Sequence, residues 1–298
     1  PDRDLGPDRR EARSGGVVSA RFSHEKAAAP DEGGAGATGE VAAPRTTPWV
    51  QLTYVSMERP GSARGGWGVA EITPGAPADL VEVLRNGVVT SIEEVTPTSP
   101  FATQAELAAR PRRLLSTEAP DGTTLMWHAT SAGQDATGRP GNVFTHAAAT
   151  RSPSPDTRPI DYWRSHSWLT PFGIGEVNAA KVTTLRPGDT VGRGPVVDFI
   201  YEGDNRFAAE WLLAAVAYAY ASGSTVVLAA ETADEAAQWI GVVCHLMSPA
   251  QARGLRWVTF ERAANVSRVV AVDSLDLVCI PREDLDEMLA EASPTTLA

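Results

Sequence analysis

Apolar and polar positions alternate from Trp49 to Ser56, with Val50, Leu52 and Tyr54 on one side, which predicts a strand. A Pro60-Gly61 turn and the Gly65-Gly66 pair lead into a second strand, Trp67 to Ile72. Pro77 to Leu84 has the pattern of a short helix, and Pro97 to Pro111 is irregular or briefly helical. Leu114-Leu115 enters a hairpin that turns at Pro120-Asp121-Gly122 and returns over Leu125 to Ala129. A glycine-rich loop follows, then a strand from Asn142 to Ala148 that places Asn142, Phe144 and His146 on one face. Residues 151–159 read as a Pro/Ser/Arg linker. In Asp161 to Phe172, DYWRSHSWLTPF, the two tryptophans read as cover for a hydrophobic edge rather than as a ligand-stacking platform.

The periodicity changes after Pro195. Phe207 to Tyr220 is apolar nearly all round, which predicts a buried helix. Ser224 to Ala230 reads as a buried strand. Thr232 with Glu235 forms a capping box that opens a helix. Trp239, Val242, Val243 and Leu246 form its core stripe at i, i+3, i+4 and i+7. Ser248-Pro249 with Gln251 opens another helix, and Trp257 to Phe260 is the next strand, so a βαβ unit with a parallel pair is expected. Val269 to Val272 and Leu277 to Ile280 read as further strands, and Arg282 to Glu291 as a closing acidic helix.

The fold class is therefore α+β / α/β. A strand-rich N-terminal domain over 48–180 is followed by a small acidic α/β domain over 195–292 with a βαβ unit. Residues 1–47 are charged and rich in Ala, Gly and Pro, with Phe22 as their one aromatic; they cannot offset their ordering entropy and are expected to be disordered.

Charge sharpens this division. The net charge is −11, and residues 195–298 carry −9 of it from 6 basic and 15 acidic groups. That balance disfavours nucleic acid and anionic membrane as partners and suits a basic protein surface, with Glu283, Asp284, Asp286 and Glu287 as the densest acidic stretch. The chain has only two lysines, Lys26 and Lys181, a skew toward arginine typical of high-GC genomes. Cys244 and Cys279 each lie in an apolar run, as buried thiols of a cytoplasmic protein do. The charged first residues do not resemble a signal peptide, and Trp211 to Ala221 is too short to span a bilayer. Because it starts at Pro1 rather than Met, the chain is expected to be a fragment or a trimmed product.

The candidate chemistry gathers in Ser131 to His146, SAGQDATGRPGNVFTH. Gly133, Gly138 and Gly141 with Pro140 shape a turn that aims Asp135, Arg139, Asn142 and His146. His128 and His146 flank the loop; if their strands are antiparallel neighbours, the two imidazoles could approach one another together with Asp135. Two readings stay open. In one, Asp135 is a base or orienter, Arg139 an anion clamp and His146 an acid–base group. In the other, the imidazoles bond to loop backbone and lock it. His24 lies in the tail, and His245 sits one residue off the core stripe as a boundary residue. There is no Walker A ending, no Gly-x-Ser-x-Gly elbow, no His-Glu-x-x-His helix and no dinucleotide-binding glycine loop, and no cofactor or metal is expected.

WVQLTYVSMERPGSARGGWGV, then SAGQDATGRPGNVFTH and DYWRSHSWLTPFGIGEV, resemble the N-terminal domain of the GTPase-associated proteins found mostly in actinobacteria. TVVLAAETADEAAQWIGVVCHLMSPAQARGLRWVTFER resembles that family's middle domain, and Gly-Arg-Pro-Gly-Asn-x-Phe-x-His is the most specific element. The resemblance implies a large cytoplasmic protein encoded beside a small GTPase in bacterial conflict or signalling systems. Its role there is adaptor or regulator, with a GTPase or another protein of the same system as partner. It assigns no catalytic residues. Members usually continue into a further C-terminal region, so the resemblance also implies that this chain is shortened. The leading expectation is a non-enzymatic adaptor. The alternative is an enzyme or small-ligand binder centred on the 131–146 loop.

Overall fold

The computed structural model describes residues 49–58, 66–96, 99 and 101–291. The tail over 1–47, with Phe22 and His24, lies outside the described residues, as does the Pro60-Gly61 turn. The alternating segments form β1 (Val50–Met57), β2 (Gly66–Ile72), β3 (Arg113–Glu118), β4 (Thr124–Gly133) and β5 (Asn142–Thr150). All their pairings are antiparallel. The β3–β4 hairpin turns where Pro120-Asp121-Gly122 demands it: Gly122 has φ +80°, and the Asp121 carboxylate accepts a 3.0 Å bond from the Thr123 N–H.

Three further strands, β6 (Val226–Ala230), β7 (Trp257–Val258) and β8 (Leu277–Pro281), run parallel to one another. β7 pairs antiparallel with β3, Leu115 opposite Val258 and Ser116 opposite Trp257. The result is one eight-stranded mixed sheet in the order β2-β1-β5-β4-β3-β7-β8-β6, in an α+β fold whose strands concentrate toward the N-terminal part.

Alternate side chains along these strands feed two cores. Leu114, Met126, Ala148, Trp257, Leu277 and Cys279 face one side. There they meet Ile160 and Tyr162 of a short 3-10 turn (Pro159–Tyr162) and the helices α4 (Arg193–Ile200), α5 (Asn205–Ser222), α6 (Ala233–Leu246) and α7 (Pro249–Gly254). Leu115, Leu125, Trp127, Ala147, Val258 and Val278 face the other side, against α1 (Ala78–Asn86) and α8 (Ala263–Asp273). The remaining described helices are α2 (Gln104–Ala108), α3 (Gly173–Ala179) and α9 (Leu285–Glu291).

Four expectations need correcting. Val269 to Val272 are helical, within α8; Val266, Val269 and Val270 follow a helical period that the β-branched run disguised. α8 itself is the crossover of a direct βαβ unit, β7–α8–β8, whereas β6 and β7 are separated by β8. β6 is an edge strand and only half-buried. α5 buries one side only, through Ala209, Leu212, Val216 and Ala219, and exposes its aromatics.

Helix starts follow the caps. Ser248 and Gln251 complete a capping box on α7, with Pro249 at its first position. On α6 the Thr232 hydroxyl accepts from the Glu235 N–H at 3.1 Å, while the Glu235 carboxylate reaches past the cap to the Glu231 N–H at 2.7 Å, so the reciprocal bond is displaced by one residue. In the α6 core stripe, Trp239, Val242 and Val243 are buried, but Leu246 is exposed at the helix end.

Candidate functional site

The glycine loop closes on itself and on β1. Asp135 Oδ1 accepts from the Thr137 N–H at 2.8 Å, the Thr137 hydroxyl at 2.7 Å and the Arg139 N–H at 3.0 Å; its Oδ2 accepts from the Ser56 hydroxyl at 3.3 Å. Burial would push this carboxyl up, but the bonds from Thr137 and Arg139 outweigh it and hold the group below its ordinary range. Asn142 clamps the same Ser56: its Oδ1 accepts from the Ser56 N–H at 3.1 Å, and its Nδ2 donates to the Ser56 carbonyl at 3.0 Å. Gly138 and Gly141, at φ +78° and +84°, make the reversal possible. Arg139 joins this network through its backbone alone; its side chain is exposed, with no hydrogen bond or ion pair among the described residues.

The histidines lie elsewhere. His146 is four residues along β5 from Asn142, about 13 Å at the rise of a strand. It stands directly opposite His128 of β4, so the two strands are antiparallel neighbours. Both are fully buried. His146 Nδ1 accepts from the Leu169 N–H at 3.1 Å, so its proton sits on Nε2 and is donated to Gln51 Oε1 at 3.0 Å. Burial pushes the His146 pKa down to about 3. His128 stacks on Trp168, ring centroids 5.2 Å apart, and neither ring nitrogen has a hydrogen-bond partner among the described residues. Burial first, then the charges of Arg112, His146 and Arg164, hold His128 well below the usual imidazole range. Asp135, Asn142 and the Arg139 backbone thus meet at the loop, and the two histidines meet in the core beneath Trp168. The five candidates do not converge on one point.

Two features escaped the sequence reading. A cavity of about 680 Å³ opens where the segment before β3, the 163–170 segment and the first turns of α6 meet, with Arg112, Arg164 and Asp234 among its lining. Trp163 and Trp168 line it but are buried, 1% and 4% exposed. The Pro111-Arg112-Arg113 run was the available signal, because successive residues at a strand's start point to opposite faces. Arg113 turns inward to Glu261 at 3.3 Å, and Arg112 turns to the cavity. The second feature is the outer side of α5. Phe207, Trp211 and Tyr218 recur at i, i+4 and i+11 and are 66%, 79% and 58% exposed. Tyr201, after α4, is exposed nearby in sequence. Among the described residues no helix is long and apolar enough to cross a membrane, and no group of three or more His, Cys, Asp or Glu side chains could hold a metal ion.

Comparison with known proteins fits this architecture. The family model described as GTPase-associated protein 1, N-terminal domain type 2, matches residues 48–185, which hold the glycine loop and β1 to β5. The model of the GTPase-associated protein 1 middle domain matches residues 198–285, which hold α5 to α8. The chain belongs to the GTPase-associated protein 1 family. Two relatives, each named a putative ESX-1 scaffolding and assembly protein SaeB, come from Mycolicibacterium smegmatis strains MKD8 and ATCC 700084 / mc(2)155. Both are 38% identical over 251 residues, which is 82% of this chain and 30% of theirs. The chain therefore spans under a third of the length of these relatives. No solved structure matches.

Proposed function

We propose that this chain is a non-enzymatic adaptor module that docks a protein partner on the exposed aromatic face of α5. The observation that carries this reading is the stripe itself. The opposite side of α5 already fills the core, so among the described residues Phe207, Trp211 and Tyr218 are left largely exposed. Large exposed aromatics on one rigid helix face are the composition of interface hot spots. Asp198, Glu202, Asp204 and Glu210 lie on and beside this helix, and its one cation, Arg206, sits 3.9 Å from Glu210. The complementary partner is an apolar segment flanked by Arg or Lys.

Two further points support an adaptor. Asp135 and Asn142 find their partners within the loop and β1. The relatives are named for scaffolding and assembly. The family description, GTPase-associated protein 1, makes a GTPase of the same organism the first partner to test. The double variant Trp211→Ala/Tyr218→Ala should unfold within about 0.5 kcal/mol of the parent, as exposed positions do. It should lose binding to that GTPase, loaded with GTP analogue or GDP, by at least about tenfold. Undiminished binding by a folded double variant would remove α5 as the docking face.

A further inference from the structure

We infer that the cavity beside Arg112 binds a small molecule through its oxyanion, a carboxylate or phosphate group, with the Arg112 guanidinium as the anchoring cation. The site is independent of docking at α5. Two arginines and two acidic side chains line the cavity: Arg112, Arg164, Asp234 and the exposed Asp189. Arg164 is paired: Nε and Nη2 donate to the two oxygens of Asp234 at 2.8 and 2.7 Å, and its guanidinium carbon lies 5.5 Å over the Trp163 ring. Asp234 is engaged in turn, since it also accepts from Trp163 Nε1 at 2.8 Å. Arg112 has no hydrogen bond and no ion pair among the described residues, although it is half-buried.

An arginine cannot escape desolvation by losing its proton, because its pKa lies too high. Burial first, and then the neighbouring Arg164, work against the Arg112 charge; only Asp234 favours it, and that carboxylate is already bound to Arg164. A cation partly removed from water and without a counter-ion of its own gains from a bound anion, and its planar fork of donors fits a carboxylate or phosphate. The fold nevertheless holds Arg112 against an open cavity.

The wall formed by residues 163–170 is pinned in place. Arg164 sits at φ +55°, in the left-handed region that a side chain of this size rarely adopts. The turn around it is pinned. The Ser165 and Ser167 hydroxyls both donate to the Arg186 carbonyl, at 2.6 and 3.1 Å. Gly188 lies so close that a Cβ there would stand 2.9 Å from the Trp163 carbonyl oxygen. Backbone strain that the surroundings hold in place is characteristic of ligand sites. Thr170 and Thr190 also line the cavity, and the Thr190 hydroxyl donates to the Trp163 carbonyl at 2.9 Å. A volume of about 680 Å³ suits a small metabolite rather than a lone ion.

The test compares thermal unfolding of the parent chain in sodium phosphate, sodium acetate and sodium chloride at matched ionic strength. A site that binds only the folded state raises the midpoint progressively with ligand concentration. Phosphate or acetate should raise it above chloride, and whichever is stronger assigns the phosphate or carboxylate class. In Arg112→Gln the anion-dependent rise should weaken by about tenfold in apparent affinity, the loss expected for one charge-assisted anchor. Its midpoint in chloride should be unchanged or higher, because an unpaired half-buried charge has been removed. Arg112→Lys, which keeps the charge and loses the fork, should fall between the two, and it replaces the glutamine variant if that does not fold. Equal anion responses in the parent and the Arg112 variants, or no response in the parent, would overturn the site.

Discussion

Gly87 ends α1 because nothing larger fits beneath Trp127. A Cβ on Gly87 would lie 2.7 Å from the Trp127 indole nitrogen and closer still to its ring carbons. The indole cannot swing away, since its Nε1 donates to the Leu84 carbonyl at 2.8 Å within the core that α1 covers. Gly87→Ala should therefore destabilise the protein by roughly 1–3 kcal/mol, the range for overpacking a filled interior. A urea unfolding midpoint equal to the parent's would show that Trp127 has room to move. His146 predicts a pH effect. Its folded pKa of about 3 lies below the ordinary value near 6.5, so the unfolded chain binds the proton first on acidification. Its contribution is fully present above pH 6.5 and is lost as the pH falls toward 3. At about 1.4 kcal/mol per pH unit, acidification to pH 5 should remove about 2 kcal/mol through His146, with a further loss in the same direction from His128. Denaturant titrations at pH 7 and pH 5 measure this, in a window above the titration of ordinary carboxylates; a flat profile would contradict the buried, neutral imidazoles.

At the scale of elements, α6 and α5 show how far periodicity carries. Trp239 on α6 is 7% exposed, meets Phe199 edge-on at 4.8 Å and donates to Glu235 at 3.2 Å. Trp239→Ala should cost roughly 3–5 kcal/mol, as other large-to-small core changes do, and should appear as a lowered thermal midpoint. A variant as stable as the parent would mean that Phe199 and its neighbours collapse into the space. α5 is apolar on both sides, and a period alone cannot distinguish a helix buried all round from one that keeps an apolar face for a partner. The same limit applies to α8, where a run of valines suits a strand and a helix equally until Val266 and Val269 are seen to share a buried face.

At the scale of the whole molecule, the β3–β7 pairing makes one sheet of two segments that the sequence presents as different in kind. It also brings residues more than 100 positions apart in the chain to a common cavity, Arg112 from before β3 and Asp234 from α6. The acidic balance of the C-terminal segment is partly internal. Asp284 is buried, accepts from Arg262 at 2.6 and 2.8 Å and from the Ala263 N–H at 3.0 Å, and so belongs to no solvent-facing acidic surface. By itself the sequence determined the features that rest on neighbouring residues: β1 by alternation, the hairpin of β3 and β4 by Pro-Asp-Gly, β2 and β5 as strands, the α6 and α7 caps, the placing of His128 and His146 on strands either side of the loop, and the family. Only the tertiary structure decided which faces meet. His146 turned into the core because β5 lies inside the sheet, Asn142 bonded to Ser56 because β1 lies alongside, β8 inserted between β6 and β7, and Arg112 was left facing a cavity. Each of these depends on contacts between distant segments, and local pattern constrains such contacts only through the total apolar surface that must be covered.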